Sequence, residues 1–433
     1  MIVQLRAEIE QLKRRGGAAP FSKGKAKKNP KRAGRKPGQG TFRYRKAPEQ
    51  SSPVEPVMVL VSGCCGDCGG AFGEAVTEVV SITDIPQERR PEVRSYAVEI
   101  RRCSGCGKSV RGRHPDVAAD QRGATAHRLG PRVKALAQVL HYAHGVPVRK
   151  VPAIVEDLTG VRLTQGAITQ HAMAQTAGEI GARYAALRDL VRKQAVTHTD
   201  DTGWRVAGKQ AFLMAFVNQS LAVYQVRDRH RNEEVRELIP SDYKGILVCD
   251  RGKSYDAEEL AGIRQQKCLA HLLRNASDIA NKKSGRASDF SRKLKDLLRD
   301  ALTLRTVRPH TNAADYAAKA NALELQLTHH LRNRSLRDDD NQRLLNGVGT
   351  QHDQGHILRF LFHDGVEATN NRAERDLRPA VIARKVSHCS RNQRGARAFE
   401  AFTSVIQTLR RTSALSIGAA FEQIFAPNPQ PSP

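Results

Sequence analysis

Two pairs of cysteines constrain this chain more than any other feature. Cys65 and Cys68 lie in CGDCG, Cys103 and Cys106 lie in CSGCG, and 34 residues separate the pairs. Each C-x-x-C can clamp one side of a tetrahedral ion, and a glycine after the second cysteine supplies the turn in which backbone amides face the thiolates. The intervening stretch alternates, as in EVRSYAVEI, and predicts short antiparallel strands. The pattern reads as a four-cysteine zinc ribbon over residues 61–115, against the alternative of unrelated buried thiols. Cys64 could replace Cys65, although symmetric knuckles favour Cys65. Four thiolates leave no coordination position for water, so the one Zn²⁺ expected here is structural. Eight cysteines in 433 residues are too sparse for a disulfide scaffold and fit a reducing compartment.

The chain carries 71 basic and 44 acidic side chains, a net charge of +27, and a pI near 10.2. Such an excess points to a polyanionic partner, of which nucleic acid is the commonest. Residues 13–46 hold 14 basic side chains and no acidic one in a Gly- and Pro-rich context that cannot bury a core. Residues 16–60 are therefore expected to be a flexible basic arm whose Lys27, Lys28, Lys31, Arg32, Arg35 and Lys36 neutralise phosphates; a solvated linker is the competing account. Ahead of it, residues 1–15 predict a short amphipathic helix, with Ile2, Leu5, Ile9 and Leu12 at coiled-coil spacing. No run approaches the roughly 20 apolar residues of a membrane span, and the start lacks a signal-peptide core, so a soluble cytoplasmic protein is expected.

Residues 116–192 predict helices. LGPRVKALAQVLHYAHG ends in Gly145, and a second helix then leads through VRLT to a third opened by Thr164. Helix, turn and helix fit a helix-turn-helix whose second helix presents Gln165, Thr169, Gln170 and His171 to DNA, although such pairs also occur in domains that never touch it.

From residue 193 to about 425 the rhythm becomes α/β, with strands in QAVTHTDD, QAFLMAFVNQS, LAVYQVRD and GILVCD. Asp200 ends the first and Asp250 follows the fully apolar GILVC. If these strands are parallel neighbours, about 4.8 Å apart, the two carboxylates can share one hard cation; ordinary turn chemistry is the bland alternative. Within TNNRAERDLRP, Asn371 is placed to cap a helix with Glu374 three residues on, the spacing of a capping box, and Pro379 should end or kink that helix. Residues 285–362 read as a helical insertion, and 426–433 as a tail.

Taken in order, HTDDTGW (198–204), LVCDRGKSYD (247–256), CLAHLLRN (268–275) and TNNRAERDLRP with ARK (383–385) resemble the insertion-sequence-sixty-six family of bacterial DDE transposases. The similarity spans most of the chain, since that family also has a short N-terminal helix, a basic segment, a four-cysteine region and a helical region. The resemblance implies a ribonuclease-H-like catalytic core whose acidic triad is Asp200, Asp250 and Glu374, with Asp201 standing where the family usually has a Glu. Two Mg²⁺ ions on these carboxylates would activate water and then a DNA 3′-hydroxyl for in-line attack on phosphorus. It also implies element ends and target DNA as partners, a homo-oligomer on DNA, small accessory proteins of the element, and nucleoid association. His271, in the C-x-x-H begun by Cys268, becomes a DNA or active-site contact with Cys268 in the core. Arg384, Lys385 and Arg391 suit phosphate contacts, with a solvated basic face as the competing account. The resulting expectation is a transposase that cleaves and joins DNA. The alternatives are a non-catalytic DNA-binding protein from a decayed element, or a metal-dependent nuclease of the same fold. Cys103→Ser should release zinc and unfold the ribbon; an unchanged metal content by elemental analysis would contradict the assignment.

Overall fold

The computed structural model describes residues 91–426 apart from 119, 124, 125, 333 and 388, together with 58–59, 67–71 and 73–74. The N-terminal helix, most of the basic arm with its six named cations, Cys64, Cys65 and the tail from 427 lie outside the described residues. Residues 67–74 belong to one unit and residues from 88 onward to a second.

In the second unit, β1 (Ile100–Arg102) and β2 (Ser109–Arg111) form an antiparallel hairpin around Cys103 and Cys106. Next in the chain come helices α1 (Pro131–Gln138), α2 (Val151–Thr159), α3 (Gln165–Ala177) and α4 (Glu179–Val191), with a π-helical turn at Val139–Ala143 extending α1. Their boundaries have local causes. Pro131 opens α1, Gly160 closes α2 in the left-handed conformation (φ 71°), and the Thr164 hydroxyl caps α3 by accepting from the Ala167 N–H at 3.1 Å.

The centre is a five-stranded sheet in the order β5-β4-β3-β6-β7, formed by β3 (Val196–Val206), β4 (Lys209–Val217), β5 (Ala222–Arg227), β6 (Ile246–Cys249) and β7 (Arg264–Lys267). A short helix, α5 (Asn232–Arg236), precedes β6. β3, β4 and β5 are an antiparallel meander, whereas β6 and β7 continue the sheet parallel to β3. Alternation divides the side chains between two faces. Met214, Phe216, Val223, Leu247 and Cys249 meet Val191 of α4, Val235 of α5 and the Leu238–Tyr243 segment on one face. Trp204, Leu213, Ala215, Tyr224 and Val248 line the other.

The second face is covered by helices from the C-terminal half of the chain. α6 (Leu269–Lys282), α7 (Arg286–Val307), α8 (Ala313–Leu331), α9 (Asp339–Asp353) and α10 (Arg359–Phe362) share one core with Ile246 and Val248. α11 (Asn371–Ser387) packs Ala373, Leu377 and Ala380 over β3 and β4. It runs on past Pro379 to Ser387 instead of ending there, because this apolar stripe continues to Ala383 and outweighs the loss of one backbone hydrogen bond. α12 (Gln393–Thr412) and α13 (Ile417–Phe425) complete the chain, packing with α1, α3 and α4.

β7 leaves no strand signal in the sequence. Its RQQK has no apolar alternation, yet Gln265, Gln266 and Lys267 are buried. Burial is tolerated because each polar head has a partner: Gln265 donates to Tyr255 O, Gln266 to Ile357 O, and Lys267 Nζ lies 2.6 Å from Asp256 Oδ1.

The free edge of β5 is closed by side chains of α12. Val226 N–H donates to Glu400 Oε1 (2.5 Å), Tyr224 N–H to Ser404 Oγ (2.9 Å) and Ala222 N–H to Thr408 Oγ1 (3.1 Å). A helix repeat of four residues matches a strand repeat of two, so one helix face serves every outward amide of the strand. Glu400 also pairs with Arg227 at 2.8 Å. Glu400→Ala should destabilise the unit by about 1–3 kcal/mol in denaturant melts, since it leaves the Val226 edge amide without its acceptor and takes from Arg227 one of the two carboxylates that hold it.

Candidate active site

The β3–β6 ladder pairs Val196 with Ile246, Thr197 with Leu247 and His198 with Val248. Carrying that register on by two residues sets Asp200 opposite Asp250, just past the last paired residues. Both belong to the face of Val196 and Val248, since parallel neighbours in register share their alternation. Asp201 falls on the other face, where its Oδ1 lies 3.1 Å from His230 Nδ1. The alternation thus separates two adjacent aspartates that spacing left ambiguous.

Glu374 approaches from the first turn of α11, half-exposed, its carboxylate 3.7 Å from Arg274 on α6. The capping position falls one residue earlier than expected, at Asn370, whose carbonyl accepts from the Glu374 N–H at 3.2 Å. Asn370 is fully buried and holds the start of α11 against β3 by donating from Nδ2 to Thr199 O at 2.7 Å. Its own N–H meets Cys268 Sγ at 3.1 Å, and the Cys268 N–H donates to Cys249 O at 2.8 Å. The segments bearing Asp200, Asp250 and Glu374 are thereby tied together through one buried thiol and one buried amide.

Burial pushes the Asp200 pKa up to about 7; the Asp201 backbone N–H works against this, while the charges of Asp250, Asp201 and Glu374 add to it. The charges of three neighbouring carboxylates thus bear on a half-buried Asp200. Among the described residues, no three His, Cys, Asp or Glu side chains lie close enough to enclose an ion as they stand. The donor set nevertheless suits a hard divalent cation: the ligands are all carboxylate oxygens, and their mutual repulsion is what such a cation relieves.

The basic side chains around the acids differ in exposure. Arg384 donates from Nη1 to Thr202 Oγ1 (3.1 Å) and to Gly203 O, which fixes it on β3 beside Asp200. Lys385 and Arg391 are exposed. His271, in the first turn of α6, is half-buried, and its pKa is raised by interaction with the Cys268 thiol against the effect of burial, with the charge of Asp250 adding to it. Cys268 is fully buried, and although burial opposes its thiolate, His271 and backbone amides hold its pKa below the usual thiol value.

On α3, Gln165 and Gln170 are exposed, while the Thr169 hydroxyl donates back to the carbonyls of Gln165 and Gly166. His171 is half-buried: it packs edge-on against Phe425 and contacts Gln138, and burial lowers its pKa to about 4.

The described cysteine knuckles share a local geometry. Gly107 after Cys106 has φ +68°, and Gly69 after Cys68 has φ +70°. Backbone N–H groups of Cys106 and Gly105 face the Cys103 sulfur and lower its pKa. Cys65, the fourth expected ligand, lies outside the described residues.

Sequence reasoning missed Asn370, Arg274 and His230. Asn370 is one position from the predicted cap, and Arg274 stands in the CLAHLLRN motif without an assigned role. His230, in the polar DRHRN loop, gives no pattern to find.

A sheet that brings carboxylates from two parallel strands and a helix to one face is an architecture compatible with a nucleic-acid-processing enzyme, and comparison with known sequences defines its class. The sequence model described as Transposase IS66 family matches residues 127–398. The chain belongs to that family, and is thus a transposase by descent, a class that acts on DNA. No curated protein matches the chain. No helix among the described residues is long and apolar enough to cross a membrane.

Because folding raises the Asp200 pKa from 3.8 to about 7, its ionisation opposes folding: the cost is absent below the unfolded value and fully present above the folded one. In chelator, Asp200→Asn should therefore melt higher than the parent at pH 8, by a difference on the order of a few kcal/mol that vanishes towards pH 4. Equal melting at both pH values would contradict the raised Asp200 pKa, to which burial contributes most.

Proposed function

We propose that this transposase binds the ends of its element and cuts and joins DNA by a DDE mechanism on a ribonuclease-H-like core. The observation that carries the reading is the β3–β6 register, which sets Asp200 opposite Asp250 on the face where Glu374 also acts on Asp200. The strand order, an antiparallel meander continued by two parallel strands, supports the fold assignment.

Asp200, Asp250 and Glu374 would hold two Mg²⁺ ions, which when bound supply activation of the attacking oxygen and stabilisation of the leaving one. The chain's own groups do the rest. Arg384, anchored on β3, together with half-buried His271 and exposed Arg274 of α6, would hold phosphate oxygens at the mouth of the site. The carboxylates of Asp200, within β3 rather than at its end, and of Asp250, just past the end of β6, would fix the position at which the reacting phosphorus sits. No residue of the site need form a covalent bond to DNA.

DNA binding would draw on the basic arm, Gln165, Thr169 and Gln170 of α3, and Lys385 and Arg391. A zinc ribbon closed by Cys65, Cys68, Cys103 and Cys106 would supply a further docking module. The left-handed glycines after Cys68 and Cys106 support that reading. A homo-oligomer on DNA and accessory proteins of the element belong to the same proposal.

With Mg²⁺ and DNA carrying the element's ends, the protein should both cleave and join. Cleavage without joining would indicate a nuclease, and tight binding alone a non-catalytic DNA-binding protein. Asp200→Ala and Glu374→Ala should each abolish chemistry while leaving binding within about twofold of the parent in gel-shift titrations. Cleavage at the parental rate by either variant would refute the triad.

A further inference from the structure

The β3–β6 ladder ends at His198 and Val248, two residues short of the acids it aligns. Beyond that point β3 stays paired with β4, but the segment carrying Asp250 leaves the sheet. Besides the tie through Cys268 and Asn370, a second set of contacts holds Asp250 relative to Asp200.

Asp250 begins a tight turn: its Oδ1 accepts from the Gly252 N–H at 2.8 Å, and the Tyr255 N–H donates to Gly252 O at 3.0 Å. The carboxylate orientation is therefore set by the turn, and the turn by whatever grips its far end. Ser254 lies at that end, inside the single helical turn Lys253–Tyr255. Its Oγ is 3.2 Å from His230 Nε2, while His230 Nδ1 is 3.1 Å from Asp201 Oδ1. Asp201 adjoins Asp200 in the chain. The imidazole is held between rings, with its centroid 5.9 Å from Phe212 and 5.7 Å from Tyr255. Its side chain is only 15% exposed, so its rotation is restricted.

We infer that His230 is a positioning residue for the metal site, bridging Asp201 on β3 to Ser254 in the turn after β6 and so fixing the separation of the Asp200 and Asp250 carboxylates. The inference rests on the proposed role of those carboxylates as metal ligands. It assigns Asp201 a part as well. On the face opposite Asp200 it cannot share an ion with Asp250, but its carboxylate orients the imidazole by accepting the Nδ1 proton. Nε2 is then left to accept the Ser254 hydroxyl proton. A closed ring results, running from Asp200 through Asp201, His230, Ser254 and the Gly252 amide to Asp250. Two like charges gain nothing from approaching each other, so this bridge adds to the Cys268–Asn370 tie in holding them at a separation that a cation can span. Groups that orient metal ligands in this way commonly govern affinity by about 10–100-fold.

The test uses the full chain and Mn²⁺, a hard divalent ion whose free form is counted by electron paramagnetic resonance. His230→Ala and Ser254→Ala should each weaken Mn²⁺ binding by about 10–100-fold. The double variant should bind no more weakly than the worse single one, because both cut the same ring. Ser254→Ala removes one half-exposed hydroxyl and should leave the melting temperature near that of the parent, which separates positioning from loss of fold. Parental affinity in both single variants overturns the inference, as does full additivity in the double variant. Asp200→Asn serves as reference. If it binds Mn²⁺ like the parent, the metal reading of the site fails; if it binds weakly while His230→Ala does not, only the bridge fails.

Discussion

The parallel pairing of β3 with β6 is the constraint on which the rest of this structure depends. A strand ladder has no freedom to place side chains singly. Once His198 stands opposite Val248, the positions of Asp200 and Asp250 are set, and period-two alternation decides that they share a face while Asp201 does not. A slip of one residue in that register would turn Asp200 towards the core of Leu247 and Cys249 and present Asp201 in its place. The apolar stretches on either side oppose such a slip, since Val248 and Leu247 pack into different cores.

Holding acids together in a half-buried place is unfavourable by itself, and the raised pKa of Asp200 expresses that cost. The surrounding contacts are those needed to offset it. Asn370 and Cys268 lock the start of α11 to β3 and to the end of β6, so Glu374 cannot drift away with its helix. α11 is itself pressed on the sheet by Ala373, Leu377 and Ala380, and α12 closes the far edge through Glu400, Ser404 and Thr408. The basic excess of the chain lies elsewhere, largely in segments suited to a polyanion, leaving the acids as a local exception within a chain of net charge +27.

Sequence alone reveals whatever leaves a periodic or spaced trace. The strand GILVC ending on Asp250, the cap Thr164 and the glycine turns after Cys68 and Cys106 all have local causes, and local causes are visible in sequence. β7 is not visible, because RQQK is stabilised by partners distant in the chain: Tyr255, Ile357 and Asp256. The passage of α11 through Pro379 escapes a local reading for the same reason, since packing against β3 and β4 outweighs a helix breaker. His171 sits at a plausible DNA-reading position, but Phe425, more than 250 residues later, takes its ring. His230 joins residues 29 before and 24 after it in the chain, and only the fold reveals that bridge.

Under the proposed function, the β3–β6 register would make Asp200 and Asp250 joint ligands of a divalent cation. Anomalous diffraction from crystals of the protein soaked in Mn²⁺ tests it directly. The expected result is a manganese peak within ligand distance of the carboxylates of Asp200, Asp250 and Glu374. A peak on Asp201 and His230, or manganese bound at other acids while Asp200 and Asp250 stay bare, would contradict it.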